Sequence, residues 1–285
     1  MRLNWKSLRG TLCSALVLGG ILLTGVSTPV YGAGELKVPT YSAEAAVLME
    51  AETGRIFVAR NEEKRMNPAS TTKMVTLLTA LQERGTRLDE LATISPYATS
   101  MEESNLGVKL GDQLPLQAVA EGMMVASGND AAVVVAEAVS GSVYRFSLAM
   151  NEVAKQAGAT NSHFLNPHGL TQAGHYSTAL DLARIAAYGM RIPMFRDMVG
   201  YDYYKVNYQN RAPVTVRTTN HFVRSGYPGA NGLKTGYTEA AGDCLIASAT
   251  RNGHTLIVVL LNDDERWTDA PALLDYGFAL LDTES

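Results

Sequence analysis

Two blocks of strand-like pattern lie near the ends of the chain, and helical spacing dominates between them. Residues 45–50 (AAVLME) and 55–59 (RIFVA) flank Glu52-Thr53-Gly54, and the short apolar runs around a turn signal predict a hairpin. Residues 244–250 and 255–261 flank Arg251-Asn252-Gly253 and predict a second. From Ser70 onward, Met74, Leu77, Leu78 and Leu81 recur at helical spacing, with Gly85 as a stop and Pro68 just ahead of the start, where a missing N–H costs nothing. Residues 86–195, rich in Ala, Met and Leu, read as several short helices. A last amphipathic segment, 267–281, carries Ala270, Leu273, Leu274, Phe278 and Leu281 on one side. Strands first and last with helices between predict an α+β fold: one antiparallel sheet from both chain ends, flanked by terminal helices, with an inserted helical lobe.

Composition narrows the organisation. With 285 residues, 46% hydrophobic and 18% charged, the chain belongs to the ordinary globular class, and neither disorder nor a solenoid fits. The first 32 residues differ from the rest. Arg2, Lys6 and Arg9 precede an apolar run over 12–26, and Val30-Tyr31-Gly32 ends on a small residue, the order of a secretory signal. The run falls short of the ~20 residues a spanning helix needs, which favours cleavage near Gly32 or Ala33 over an uncleaved N-terminal anchor. Cys13 follows Gly10-Thr11-Leu12, without the small residue expected just before a lipoprotein cysteine. Residues 33–285 then form one domain.

Removal of the signal leaves 21 basic against 28 acidic residues, a net charge of −7, which argues against a nucleic-acid partner. It also leaves a single cysteine, Cys244, so no intramolecular disulfide can form. Within CLIASAT the thiol reads as a small buried hydrophobe in a strand.

The chemistry starts at PASTTKM, residues 68–74. Ser70 and Lys73 on one helical turn put an amine within reach of a hydroxyl. Lysine serves as a base only if its pKa falls toward neutrality, through burial, a second cation or a helix N-terminus. Lys234, in Gly232-Leu-Lys-Thr-Gly-Tyr-Thr238, supplies the cation, if a strand edge beside the helix start brings it close. Gly236 would let backbone approach a substrate. A phosphate loop is excluded because Leu233, not glycine, precedes Lys234. In Ala126-Ser127-Gly128-Asn129-Asp130, Ser127 and Asn129 are either helix caps or site residues.

Together, Ser-x-x-Lys, Ser-x-Asn and Lys-Thr-Gly in this order resemble the signature of the penicillin-recognising serine acyltransferases. Within them the chain is most similar to the D-alanyl-D-alanine carboxypeptidases, the low-molecular-mass penicillin-binding proteins. LMEAETGRIF, NPASTTKMVTLLTA, SGNDAAVVVAEAVSGS, FSLAMNEVAKQAG, NSHFLNPHGL and KTGYTEAAGDCLIASATRNG carry that similarity from Glu44 to Leu281.

The resemblance implies an acyl-enzyme on Ser70, with Lys73 as base, Ser127 and Lys234 as proton relay, and Asn129 on the substrate's peptide amide. Backbone N–H groups of Ser70 and Tyr237 would form the oxyanion hole. Thr235 matches a contact to the substrate's terminal carboxylate. Arg217 is the candidate cation there, or else a solvated strand residue. The implied substrate is the peptidoglycan pentapeptide, with β-lactams as covalent inhibitors and neither metal nor organic cofactor. An extracytoplasmic, cell-envelope location follows, with membrane contact only through an uncleaved N-terminal segment. Many members of the family continue into an all-β domain and a C-terminal amphipathic anchor, neither of which is expected within these 285 residues.

A β-lactamase of class A uses a glutamate to deacylate; residues 161–176 contain no acid. A catalytically idle muropeptide-binding protein is the other alternative. His168, in NPHGL, either tunes the site or pins a loop. His163, His168 and His175 are too irregularly spaced for a metal. Tyrosines 201, 203, 204 and 208 read as strand packing.

Overall fold

β1 (Ala45–Glu50) and the eight residues HTLIVVLL near the chain's end are apolar on both of their faces, a pattern that requires a strand covered above and below. The computed structural model describes residues 36–85, 87–102 and 104–284. The expected signal and Cys13 lie outside them.

In chain order, β1 is followed by β2 (Ile56–Arg60), a 3₁₀ turn (Ala69–Thr71), α1 (Thr72–Arg84), α2 (Pro96–Thr99), α3 (Leu116–Ala126), α4 (Asn129–Ser140), α5 (Val143–Gln156), α6 (Ala179–Gly189) and α7 (Pro193–Val199). Then come β3 (Tyr203–Val206), β4 (Val214–Arg217), α8 (His221–Arg224), β5 (Ala230–Thr238), β6 (Gly242–Arg251), β7 (His254–Leu261) and α9 (Arg266–Glu284).

Five strands form an antiparallel sheet in the order β2-β1-β7-β6-β5, so both chain ends meet at its centre. Alternation sorts their side chains. Ala45, Val47, Met49, Ile246, Ile257 and Val259 face the core shared with the helical lobe, whereas Ala46, Leu48, Leu245, Leu256 and Val258 face α9. Ala270, Leu273, Leu274, Phe278 and Leu281 of α9 cover that second face, as their spacing predicts. Gly277 lets α9 approach the sheet closely, since a Cβ there would stand 2.7 Å from Leu256 Cδ1 and 2.9 Å from Leu48 Cδ2. Both predicted hairpins form, and Cys244 is buried in β6 as a free thiol.

Two features depart from the sequence pattern. β3 and β4 form a separate two-stranded ribbon against α3. Tyr203 and Tyr204 lie in β3, and the Tyr204 ring stacks on Tyr201 at 6.0 Å. In addition, Ser70 does not begin the α-helix; it lies in the 3₁₀ turn before it. Ala69 enters that turn at φ +48°, and glycines press on it from two sides. A Cβ on Gly169 would fall 1.8 Å from Ala69 O, and one on Gly236 would fall 3.0 Å from Ser70 N.

Candidate active site

The 3₁₀ turn, the α3–α4 corner and edge strand β5 bring all three motifs together. Lys73 is fully buried at the start of α1. Its Nζ lies 2.9 Å from Ser70 Oγ and donates to Asn129 Oδ1 at 2.7 Å and to the His168 carbonyl at 2.9 Å. None of these partners is a carboxylate. Burial first, and then the Lys234 charge, hold the amine well below the ordinary lysine range, against a smaller upward pull from Asp130. A neutral amine has two hydrogens and one lone pair. With both hydrogens committed to carbonyl oxygens, the lone pair is left for the Ser70 hydroxyl.

Asp130 does not approach as a proton acceptor. Its carboxylate accepts from the backbone N–H groups of Leu106, Gly107 and Val108 at 2.7, 2.8 and 3.1 Å, which fixes the segment in front of the corner.

The corner is built for display. Ser127 ends α3 in the left-handed region at φ +59°, and its side chain caps neither helix. It faces β5, where Lys234 Nζ donates to Ser127 Oγ at 2.9 Å and to the Thr235 carbonyl at 3.0 Å. Asn129 opens α4 without capping it either, with Nδ2 donating to the Glu102 carbonyl at 3.0 Å and Oδ1 turned to Lys73. The capping interpretation of both residues is thereby replaced. Burial, then the Arg266 charge, brings Lys234 down to about 7.

Thr235 is buried on β5, its hydroxyl 2.8 Å from that of Thr219. Gly236 is the strand residue that passes against Ser70, and the side chain of Tyr237 just beyond it is exposed. Arg217, two residues before Thr219, is exposed at the end of β4, and no hydrogen bond or ion pair joins its side chain to a described residue. His168 is buried, and burial, Lys73 and His175 push its imidazole down to about 3. Its Nδ1 accepts the Leu170 N–H at 3.2 Å while its carbonyl holds Lys73, so the ring shapes the loop and the backbone serves the site.

Sequence reasoning missed Arg266. Its Nη1 donates to the Gly236 carbonyl at 3.0 Å and the Cys244 carbonyl at 3.2 Å, and pairs with Asp243 at 2.8 Å. The residue is remote from every motif; only its place at the first turn of the last helix, beside the β5–β6 hairpin, signals it. Among the described residues no cluster of His, Cys, Asp and Glu forms a metal site.

A hydroxyl on a tight turn, next to an amine pushed toward its neutral form by burial and by a neighbouring cation, is what a serine hydrolase of the acyl-transfer kind requires within an α+β frame. Comparison with known proteins agrees. The family model for D-alanyl-D-alanine carboxypeptidases matches residues 33–265. The chain is 33% identical over 282 residues to the D-alanyl-D-alanine carboxypeptidase DacF of Bacillus subtilis, covering 95% of this chain and 72% of that one. It is 31% identical to the D-alanyl-D-alanine carboxypeptidase of Streptomyces sp. strain K15, covering 96% and 99%. The crystal structure of the Streptomyces K15 DD-transpeptidase superposes with a TM-score of 0.79 at 31% identity, over 85% of this chain and 99% of that one. The D-alanyl-D-alanine carboxypeptidase of Mycobacterium tuberculosis superposes at 0.80 with 29% identity, over 87% and 95%. The chain therefore belongs to the D-alanyl-D-alanine carboxypeptidase family of serine peptidases.

Proposed function

We propose that this protein removes the terminal D-alanine from peptidoglycan pentapeptide stems through an ester on Ser70. The observation that carries the reading is the buried Lys73 amine 2.9 Å from Ser70 Oγ, with Asn129 Oδ1 and the His168 carbonyl as its other partners.

Lys73 takes the Ser70 proton as the oxygen attacks the carbonyl between the two D-alanines. The oxyanion is held by the backbone N–H groups of Ser70 and Tyr237, each such donor contributing ~3 kcal/mol in comparable sites. The C–N bond then breaks, and the leaving amine receives its proton along the Ser127–Lys234 contact. Water attacks the acyl-enzyme, and Ser70 is regenerated. Thr235, with Thr219 beside it, and Arg217 hold the terminal carboxylate in this reading. Asn129 reaches the substrate's peptide amide when its Nδ2 leaves the Glu102 carbonyl. β-Lactams, which imitate the D-alanyl-D-alanine end, acylate the same oxygen. The absence of any acid in residues 161–176 supports slow release of that adduct over β-lactamase turnover.

The basic, apolar and small-residue order of residues 1–32 supports export and action in the cell envelope. Incubation with a synthetic pentapeptide tests the activity: one equivalent of D-alanine appears per stem, and none with Ser70→Ala. Transfer of the acyl group to an added amine without net D-alanine release in its absence would replace hydrolysis by transpeptidation.

A further inference from the structure

One buried histidine has no part in the steps above. His175 is 2% exposed and closes the segment 161–176 that lies against the nucleophile turn. Both ring nitrogens are engaged. The Leu165 N–H donates to Nδ1 at 3.0 Å, so the ring proton sits on Nε2, which donates to Thr72 Oγ1 at 3.1 Å. The Phe164 ring meets the imidazole edge to face, with centroids 5.7 Å apart. Thr72 immediately precedes Lys73. The same segment presents the Pro167 carbonyl to Thr76 Oγ1 at 2.6 Å and the His168 carbonyl to Lys73 Nζ at 2.9 Å. Within the segment, Asn166 accepts the Gly169 N–H at 2.7 Å and donates to the Leu170 carbonyl at 3.1 Å, which shapes the loop but does not tie it to α1.

We propose that His175 is a positioning residue for acylation: by joining Leu165 to Thr72 through its two ring nitrogens, it holds the His168 carbonyl on Lys73 and so keeps the Lys73 lone pair on Ser70. The inference rests on Ser70 and Lys73 being nucleophile and base. Protonation at Nδ1 would remove the acceptor for the Leu165 N–H and open the clamp. Burial, with a smaller contribution from His163, moves that event down to about 4. The titratable and charged groups that meet the segment are its own His163 and His168, Lys73 on the His168 carbonyl, Arg65 over the Tyr176 ring at 4.5 Å and on Asn161 Oδ1 at 2.6 Å, and Asp181 of α6, which is engaged by Asn161 N and Ser162 Oγ at 2.7 Å each and by Arg184. From α5 the neutral Asn151 bonds the Phe164 backbone in both directions.

The test is the second-order rate constant for acylation by benzylpenicillin between pH 4 and 9, with the melting temperature of each protein, for the full chain and for His175→Leu and His175→Gln. Leucine fills the space without hydrogen bonds, and the rate constant at pH 7 falls about tenfold or more, in the acylation step and not in prior binding. Glutamine offers one acceptor and one donor and does not titrate. It restores the rate to within about threefold and removes the extra loss of rate that the wild type shows as pH approaches 4. A folded His175→Leu protein acylated at the wild-type rate would overturn the proposal. So would a His175→Gln protein of wild-type melting temperature that keeps that extra acid loss. Failure of the wild type to acylate would instead overturn the reading of Ser70.

Discussion

The first turn of α1, which carries Lys73, and the edge strand that carries Lys234 bury their amines alike, yet surround them differently. Lys73 meets a hydroxyl and two carbonyl-type oxygens, faces a second cation, and is held well below the lysine range. Lys234 meets the Ser127 hydroxyl and one carbonyl, and is brought to about 7 by burial and Arg266. The first is pushed toward its free-base form, whereas the second, at about 7, is poised between its two forms near neutral pH. A base needs the proton gone, and a relay needs it exchangeable. In the proposed reaction that difference suits Lys73 to proton abstraction and Lys234 to proton delivery, although both are lysines in the same cleft.

The largest break in that comparison comes from Lys73→Arg. Guanidinium stays protonated, so acylation by benzylpenicillin falls about 10³-fold, a loss within the usual range for a general base and measurable by stopped mixing and intact mass. Lys234→Met leaves the base in place and removes the relay and its charge, and a smaller loss of about 10²-fold is expected in the same assay. An equal loss in both would erase the division of roles.

Arg266→Gln sharpens the comparison further. Arg266 depresses Lys234, so its removal raises the Lys234 pKa, and the alkaline limb of the acylation profile moves from near 7 to higher pH while the acid limb stays. An unmoved alkaline limb would show that Lys234 does not set it.

The smallest effect concerns stability. His168 and His175 are held neutral, at about 3 and about 4. The unfolded chain, with histidines near 6.5, binds these protons first as pH falls. Stability is therefore complete above about 6.5 and declines below it, by up to about 1.4 kcal/mol per pH unit for each histidine. Melting temperatures from pH 8 to 5 should drop on the acid side, and less steeply for His175→Gln.

Much of this was legible in the chain because it is local. Apolar runs around Gly54 and Gly253 specify hairpins, the spacing of Leu273, Leu274 and Phe278 specifies a helix face, and the three motifs name the groups that meet. What escaped depends on distant contacts. Ser70 sits in a 3₁₀ turn against which Gly169 and Gly236 pack closely from elsewhere in the sequence. The third partner of Lys73 is a main-chain carbonyl, to which the identity of residue 168 gives no direct clue. Ser127 and Asn129 have the composition of caps, and only the left-handed φ at Ser127 turns its hydroxyl away from that use. Arg266 looks like any first-turn residue until β5 and β6 pack beside it.

The most direct test of the Lys73–Ser70 pair is the intact mass of the protein after addition of benzylpenicillin, followed in time with Ser70→Ala alongside. The account predicts one penicilloyl adduct that persists for many minutes and is absent from the variant. No adduct on the wild type, or the same adduct on Ser70→Ala, would contradict it.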